Sequence, residues 1–370
     1  MRIVHLSDIH LCQENINSFR NHYRESLIND LLKFNREKPI DLIIISGDIV
    51  DKAGKSLLKI EGYKDELDPY KIFEIEFIDK ITNKLTLPKN RVLFIAGNHD
   101  VNREEVDEIQ EAGLKSLINS SVDVDNIYDK YKLQPEKINI SRIKQFLEFE
   151  KRFHQDNKEL QYEYSEFIST AIYNYNGNKV GIALVNDSWR CGNGEVNNHF
   201  FGGNQLHEAR NRFVEEATCF NIAVLHHPLE ILNKDEKKSI ENILKHREYN
   251  IALIGHEHEE RLEPLGINIS NRCYCARGRS AFDKPHETNS DYISGYCVID
   301  IDFTVKKCFC RYKVYNRETF LFDTEDYEGK PFAELPYGVN EMIIEKVNVE
   351  KGSFLINVKK EDFTNNSTDE

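Results

Sequence analysis

The stretch Asp41-Leu42-Ile43-Ile44-Ile45-Ser46-Gly47-Asp48-Ile49-Val50-Asp51 decides how the chain is read. Leu42 to Ile45 is an unbroken apolar run rich in β-branched side chains. It lacks the polar alternation of a half-solvated strand, so it predicts a strand buried on both faces. Ser46-Gly47-Asp48 then ends it in a turn. The same pattern occurs at Arg2–Leu6, before Ser7-Asp8-Ile9-His10, and at Arg91–Ala96, before Gly97-Asn98-His99-Asp100. Helical patterns near Tyr23–Phe34 and Tyr70–Leu85 separate these runs. That βαβ rhythm predicts an α/β fold with parallel or mixed strands buried between layers.

Further along, Ala171–Tyr175, Lys179–Val185, Ile222–Leu225 and Ile251–Ile254 read as strands. Gln205–Glu216 and Glu236–His246 read as helices. From Arg272 the helices stop. Arg272–Ala276, Tyr296–Phe303 and Lys306–Val314 are expected to be antiparallel strands closing a second sheet. Two stretches fit the rhythm poorly. Asp51–Asp68 is polar and lysine-rich. Residues 103–165 are charged and helical in composition, with Ile143–Phe153 the best helix, and are expected to form a helical insertion or lid. The reading therefore divides the chain into a domain over 1–317 and a C-terminal extension over 318–370. That extension carries a hairpin pattern, Met342–Val349 and Ser353–Val358, around Lys351-Gly352.

The chain has 370 residues and a net charge of −14, from 49 basic and 63 acidic side chains. Glu318–Glu370 alone holds 13 acids and 5 bases, so much of the imbalance sits at one end. No basic run marks a nucleic-acid-binding arm. No apolar run approaches the ~20 residues that cross a bilayer. The N-terminal segment reaches charge too soon for a signal-peptide core, so a cytoplasmic protein is expected. Eight cysteines in such a chain predict thiols, not a disulfide framework. Cys273-Tyr274-Cys275 and Cys308-Phe309-Cys310 place two sulfurs on one strand face. A four-thiolate zinc site is the sharper reading of these pairs and buried structural thiols the favoured one.

Five strand ends carry the chemistry: Asp8-Ile9-His10, Gly47-Asp48, Gly97-Asn98-His99-Asp100, His226-His227-Pro228 and Gly255-His256-Glu257-His258. Taken singly, each has an ordinary explanation as a turn, a cap or a surface histidine. Together they are a set of carboxylate, amide and imidazole donors at the positions where loops of an open α/β sheet converge. Those donors favour Mn, Fe or Zn over thiolate-loving ions. Seven candidates (Asp8, His10, Asp48, Asn98, His226, His256 and His258) exceed the needs of one ion. Two ions sharing a carboxylate are therefore expected.

These ordered motifs resemble those of the calcineurin-like metallophosphoesterase superfamily, over residues 1 to about 300. The resemblance implies a two-sheet β-sandwich flanked by helices, with two divalent metal ions at its edge. Mn2+ is the expected ion, with Fe or Zn as alternatives. By resemblance, Asp8, His10, Asp48 and His258 hold the first ion. Asp48 bridges, and Asn98, His226 and His256 complete the second. His99 stands beside the leaving group, and Asp51 orients it. A metal-bridging hydroxide is the implied nucleophile. His227, Arg277 and Arg279 are weaker candidates for touching substrate. Trp189 is read as packing rather than a base-stacking surface, and His5 as a core residue.

Lys52-Ala53 after Asp51, and Asp100 where protein phosphatases carry Glu, point away from the protein phosphatases. His5-Leu6-Ser7-Asp8-Ile9-His10-Leu11 resembles both cyclic-nucleotide phosphodiesterases and DNA-repair nuclease subunits. The expected substrate is a phosphodiester of nucleic acid or of a nucleotide. A cyclic-nucleotide or other small-molecule phosphoesterase is the first alternative. A metal-holding module that recruits a protein partner is the second. The chain has no Walker-type loop, so any ATPase partner would be a separate subunit. A homo-oligomer is compatible with the sequence.

Overall fold

The computed structural model describes residues 1–192, 199–246, 249–256, 266–270, 273–282, 294–324 and 333–336. The chain divides into two units, Met1–Tyr337 and Gly338–Glu370, and all described residues lie in the first. The hairpin expected at Met342–Val349 and Ser353–Val358 lies outside the described residues.

Three runs of the βαβ rhythm become β1 (Arg2–Leu6), β2 (Leu42–Ser46) and β3 (Val92–Ile95), parallel and side by side. The second group becomes β4 (Ile168–Tyr175), β5 (Asn178–Val185), β6 (Phe220–Leu225) and β7 (Ile251–Ile254). Next come β8 (Gly266–Ser270), β9 (Cys273–Arg277), β10 (Gly295–Asp302), β11 (Lys307–Asn316), β12 (Leu321–Thr324) and β13 (Ala333–Pro336). One sheet runs β12-β11-β10-β1-β2-β3, with β13 also on β11. The other runs β4-β5-β6-β7-β9-β8.

The late strands do not all pair as expected. β9 lies parallel beside β7 in the second sheet, while β10 pairs antiparallel with β1 of the first sheet and β11, antiparallel as expected, with β10. β10 is buried on both faces: Tyr296 and Val298 enter the helix-side core, and Cys297, Ile299 and Ile301 the core between the sheets. A buried run declares how many faces need cover, but not which neighbour supplies the hydrogen bonds. β8 was not anticipated.

Three cores stack the layers. Helices Arg24–Glu37 and Lys144–Phe153 cover one sheet through residues such as Leu27, Leu31, Phe146 and Phe149. Helices Ser121–Leu133, Asn204–Glu215 and Lys234–His246 cover the other through Val124, Tyr128, Leu206 and Ile240. Region 103–165 therefore contributes buried side chains to both outer layers. The paired cysteines part company. Cys273 and Cys275 sit in the second sheet's outer core, and Cys308 and Cys310 in the core between sheets. All four are buried thiols, as favoured from sequence.

Burial raises the Glu150 carboxyl from its ordinary 4.5 to about 7, although the Tyr162 hydroxyl donates to it at 2.6 Å. The folded protein then binds more protons than the unfolded chain between those values. Stability should fall as pH rises through that window, by about 3 kcal/mol from this group. Glu150→Gln should flatten that part of the slope in denaturant unfolding of chelator-treated protein at pH 5 and pH 8. Parallel pH slopes for the two proteins would refute it.

Candidate metal centre

Each polar cluster begins where an apolar strand runs out, and the backbone there is bent sharply. Asp8, His10, Asp48 and His256 all adopt left-handed conformations, with φ of 53°, 48°, 51° and 68°. Such residues cost on the order of 1–3 kcal/mol each and persist only where their surroundings dictate them. Here the loops after β1 and β2 are sewn together. Asp8 N donates to Gly47 O at 3.1 Å, and Ile9 N and His10 N both donate to Asp48 O at 2.9 Å. His256 N donates to Asp8 Oδ2 at 2.9 Å, which ties in the loop after β7.

Glycines make this crowding feasible. Gly47 has φ +95°, and a Cβ there would meet His226 Nδ1 at 2.4 Å. A Cβ on Gly97 would lie 2.2 Å from Asp48 Oδ1 and 2.4 Å from Asp48 N. Gly97→Ala should therefore displace Asp48 and lower activity about 10²-fold, the cost of a misplacement near 1 Å. Metal analysis beside circular dichroism checks this. Full metal content and full activity in the variant would show that the space is not needed.

Two groups of donors face each other. On one side, His10 Nε2 lies 3.8 Å from Asp8 Oδ1 and 3.7 Å from Asp48 Oδ2. These separations are too long for hydrogen bonds. They suit ligands around a cation bound at ~2.0–2.2 Å. On the other side, Asn98 Oδ1 lies 3.0 Å from His226 Nε2 and 3.1 Å from His256 Nδ1, and those nitrogens are 3.1 Å apart. Edges of about 3 Å match three adjacent corners of an octahedron with ~2.1 Å bonds. Asp48 Oδ2 lies between the groups, also 3.5 Å from His226 Nε2. That oxygen is buried and accepts no hydrogen bond from the described residues. The donor set thus fits cations.

Neighbouring groups set the chemical form of each donor. His226 Nδ1 donates to the Ser46 carbonyl at 2.9 Å, which aims Nε2 at the donor triangle. Burial alone would lower the His226 pKa, but Asp48, with smaller contributions from Asp8 and Asp187, pushes it up to about 10. Burial likewise opposes charge on Asp48, yet His226, His99 and His10 hold its carboxyl well below the usual range. The pocket is a buried negative well that demands positive charge, from a proton if no cation is there.

His99 stands at the rim, half-buried, with Nδ1 2.7 Å from Asp51 Oδ1. Its backbone N–H donates to Asp48 Oδ1 at 2.7 Å, which couples the rim to the centre. Among the described residues the structure brings together Asp8, His10, Asp48, Asn98, His226 and His256, with His99 and Asp51 beside them. His258 lies outside the described residues. His227 is 1% exposed, with Nδ1 3.3 Å from Asp187 Oδ1. Arg277 and Arg279 are buried rather than facing solvent, and Arg277 pairs with Glu230. Trp189 Nε1 donates to Phe201 O at 2.9 Å within the core. His5 Nε2 lies 2.8 Å from Ser46 Oγ, and burial pushes its pKa down to about 3.

Sequence reasoning gave no role to Asp100 or Asp187. Asp100 carboxylate oxygens accept from Gly97 N, Ile49 N and Val50 N at 2.8, 3.2 and 3.3 Å, stapling the β2 loop to the β3 loop. Asp187 Oδ2 accepts from His226 N and His227 N at 3.0 and 2.7 Å. The available signal was its position: Asn186-Asp187-Ser188 ends β5 in the same way as the ligand loops end theirs.

Residues 1–260 match the calcineurin-like phosphoesterase family, and the chain belongs to it. Its members are phosphoric ester hydrolases that use divalent metal ions, and the His and Asp clusters here are of that kind. YydB of Bacillus subtilis (strain 168), an uncharacterized metallophosphoesterase-like protein, is 22% identical over 356 residues, covering 94% of this chain and 67% of that protein. Among solved structures, TT1561 of Thermus thermophilus is similar at 11% identity and a TM-score of 0.35, over 88% of this chain and 98% of that one. The NAD nucleotidase NadN of Haemophilus influenzae is similar at 12% identity and a TM-score of 0.40, over 89% of this chain and 54% of that one. None of the described helices is long and apolar enough to cross a membrane.

Proposed function

We propose that the chain is a phosphodiesterase that holds two divalent cations, Mn2+ foremost, and cleaves phosphodiester bonds of nucleic acid or nucleotides. The observation that carries this reading is Asp48 Oδ2, buried between two sets of donors. Asp8, His10, Asp48 and His258 would hold one cation, and Asp48, Asn98, His226 and His256 the other. When bound, the cations supply charge neutralisation for phosphate oxygens and acidify water near neutral pH.

The chain's own residues do the rest. Asp8, His10 and Asp48 are fully buried, so bulk water does not screen the charges they organise. Asn98 donates no charge, which leaves its cation the more electron-withdrawing. Asp51 takes the Nδ1 proton of His99 as a hydrogen bond, fixing the ring so that Nε2 holds a proton for the leaving oxygen.

Hydrolysis of bis-p-nitrophenyl phosphate with Mn2+, Fe2+, Co2+, Ni2+ and Zn2+ tests the proposal, with p-nitrophenyl phosphate as the monoester control. Turnover of the diester, strongest with Mn2+, is the expected result. No turnover by folded protein with any ion would overturn the hydrolase, and monoester turnover alone would overturn the diester preference. Single-stranded, duplex and cyclic nucleotides then separate nuclease from small-molecule enzyme.

A further inference from the structure

Beside the O/N centre lies a second cluster with a different donor set. Cys191, His199 and His227 each offer one ligand atom, all within 4.8 Å of one another. Cys191 and His227 are each 1% exposed. Cys191 Sγ lies 3.6 Å from His227 Nε2. That is the sulfur–nitrogen edge of a tetrahedron built with Zn–S of about 2.3 Å and Zn–N of about 2.0–2.1 Å.

Asp187 lies behind both imidazoles. The nitrogen of His227 turned toward Cys191 is Nε2, and Asp187 Oδ1 lies 3.3 Å from its Nδ1. The Asp187 carbonyl takes a hydrogen bond from His199 Nε2 at 2.6 Å. A carbonyl on the distal nitrogen, as His199 has, is a usual support for a metal-bound histidine, since it sets the tautomer and raises ligand basicity. The His199 and His227 rings lie with centroids 4.5 Å apart. The three side chains come from the chain after β5 and the loop after β6, so an ion there would pin the former against the backbone that carries His226.

We infer that Cys191, His199 and His227 form a separate zinc site, with one thiolate, two imidazoles and a fourth position for water or another ligand. A thiolate with two imidazoles selects zinc over the Mn2+ expected of the neighbouring O/N donors. The inference does not depend on the phosphodiesterase proposal, because the site is defined by its sulfur.

Cobalt substitution tests it on the full chain. Co2+ bound by a thiolate gives a near-ultraviolet charge-transfer band that O/N donors cannot produce. Apo-protein titrated with Co2+ should develop that band, and Cys191→Ser should lose it together with one equivalent of bound zinc. The remaining metal and the unfolding cooperativity should be retained in the variant. His199→Ala, a milder change at a half-buried position, should weaken the band without removing the sulfur. Absence of the band in folded wild-type protein would overturn the site and leave a thiol–imidazole hydrogen bond only. A band that persists in Cys191→Ser would place the sulfur at another cysteine and overturn it equally.

Discussion

Asp48→Ala is expected to lose at least about 10³-fold in activity, since removing a shared ligand removes the several kcal/mol of charge stabilisation that bound cations supply. Metal content should fall with it. The reason lies in the position of one oxygen. Asp48 Oδ2 is 3.7 Å from His10 Nε2 and 3.5 Å from His226 Nε2, so it faces both donor groups at once. Folding stability gives a second readout. A cation bound only by the folded state raises the melting temperature by mass action, and Asp48→Ala should remove that metal-dependent rise. The metal-free variant should itself be less stable at neutral pH, because His226, His99 and His10 favour the Asp48 carboxylate more than burial opposes it, so the readout is the metal-dependent rise and not the melting temperature alone. If Asp48→Ala retained metal and the metal-dependent rise, the shared-ligand role would be wrong.

His99→Ala should behave differently. Metal content and the metal-dependent rise in melting temperature should survive, because the His99 ring is turned toward Asp51. Its loss as proton donor should cost about 10²–10⁴-fold for substrates with poor leaving groups. A p-nitrophenolate leaves well without a proton, so its release should slow far less. Asp51→Asn should show the same leaving-group trend with a smaller amplitude, since it disturbs only the orientation of the ring. Loss of metal in His99→Ala, or an equal loss for all leaving groups, would refute the proton-donor role.

The strands that carry these residues could be read directly. β1 and β7 have the limits expected from their apolar runs, because a run buried on both faces has sharp ends where the chain turns polar. The ligand loops were legible for the same reason, since polar residues that follow such runs have few structural excuses. Asp100 and Asp187 were harder to see. Their work is to accept backbone N–H groups from loops distant in the sequence, and no spacing along the chain encodes that.

Which sheet a late strand joins lay beyond the sequence. β10 and β11 pair antiparallel with each other as their patterns suggest, yet β10 joins β1 rather than closing the other sheet. Hydrophobic patterning specifies which faces leave water, and so which segments become strands and where their polar ends lie. Partnership among strands depends on hydrogen bonds and layer packing summed over the whole chain. So Asp8, Asp48 and Asn98 were visible as donors one by one. That Asp48 sits between the two donor groups, and that Cys191 meets His227 nearby, follows only once both sheets stack and bring their carboxyl ends to one place.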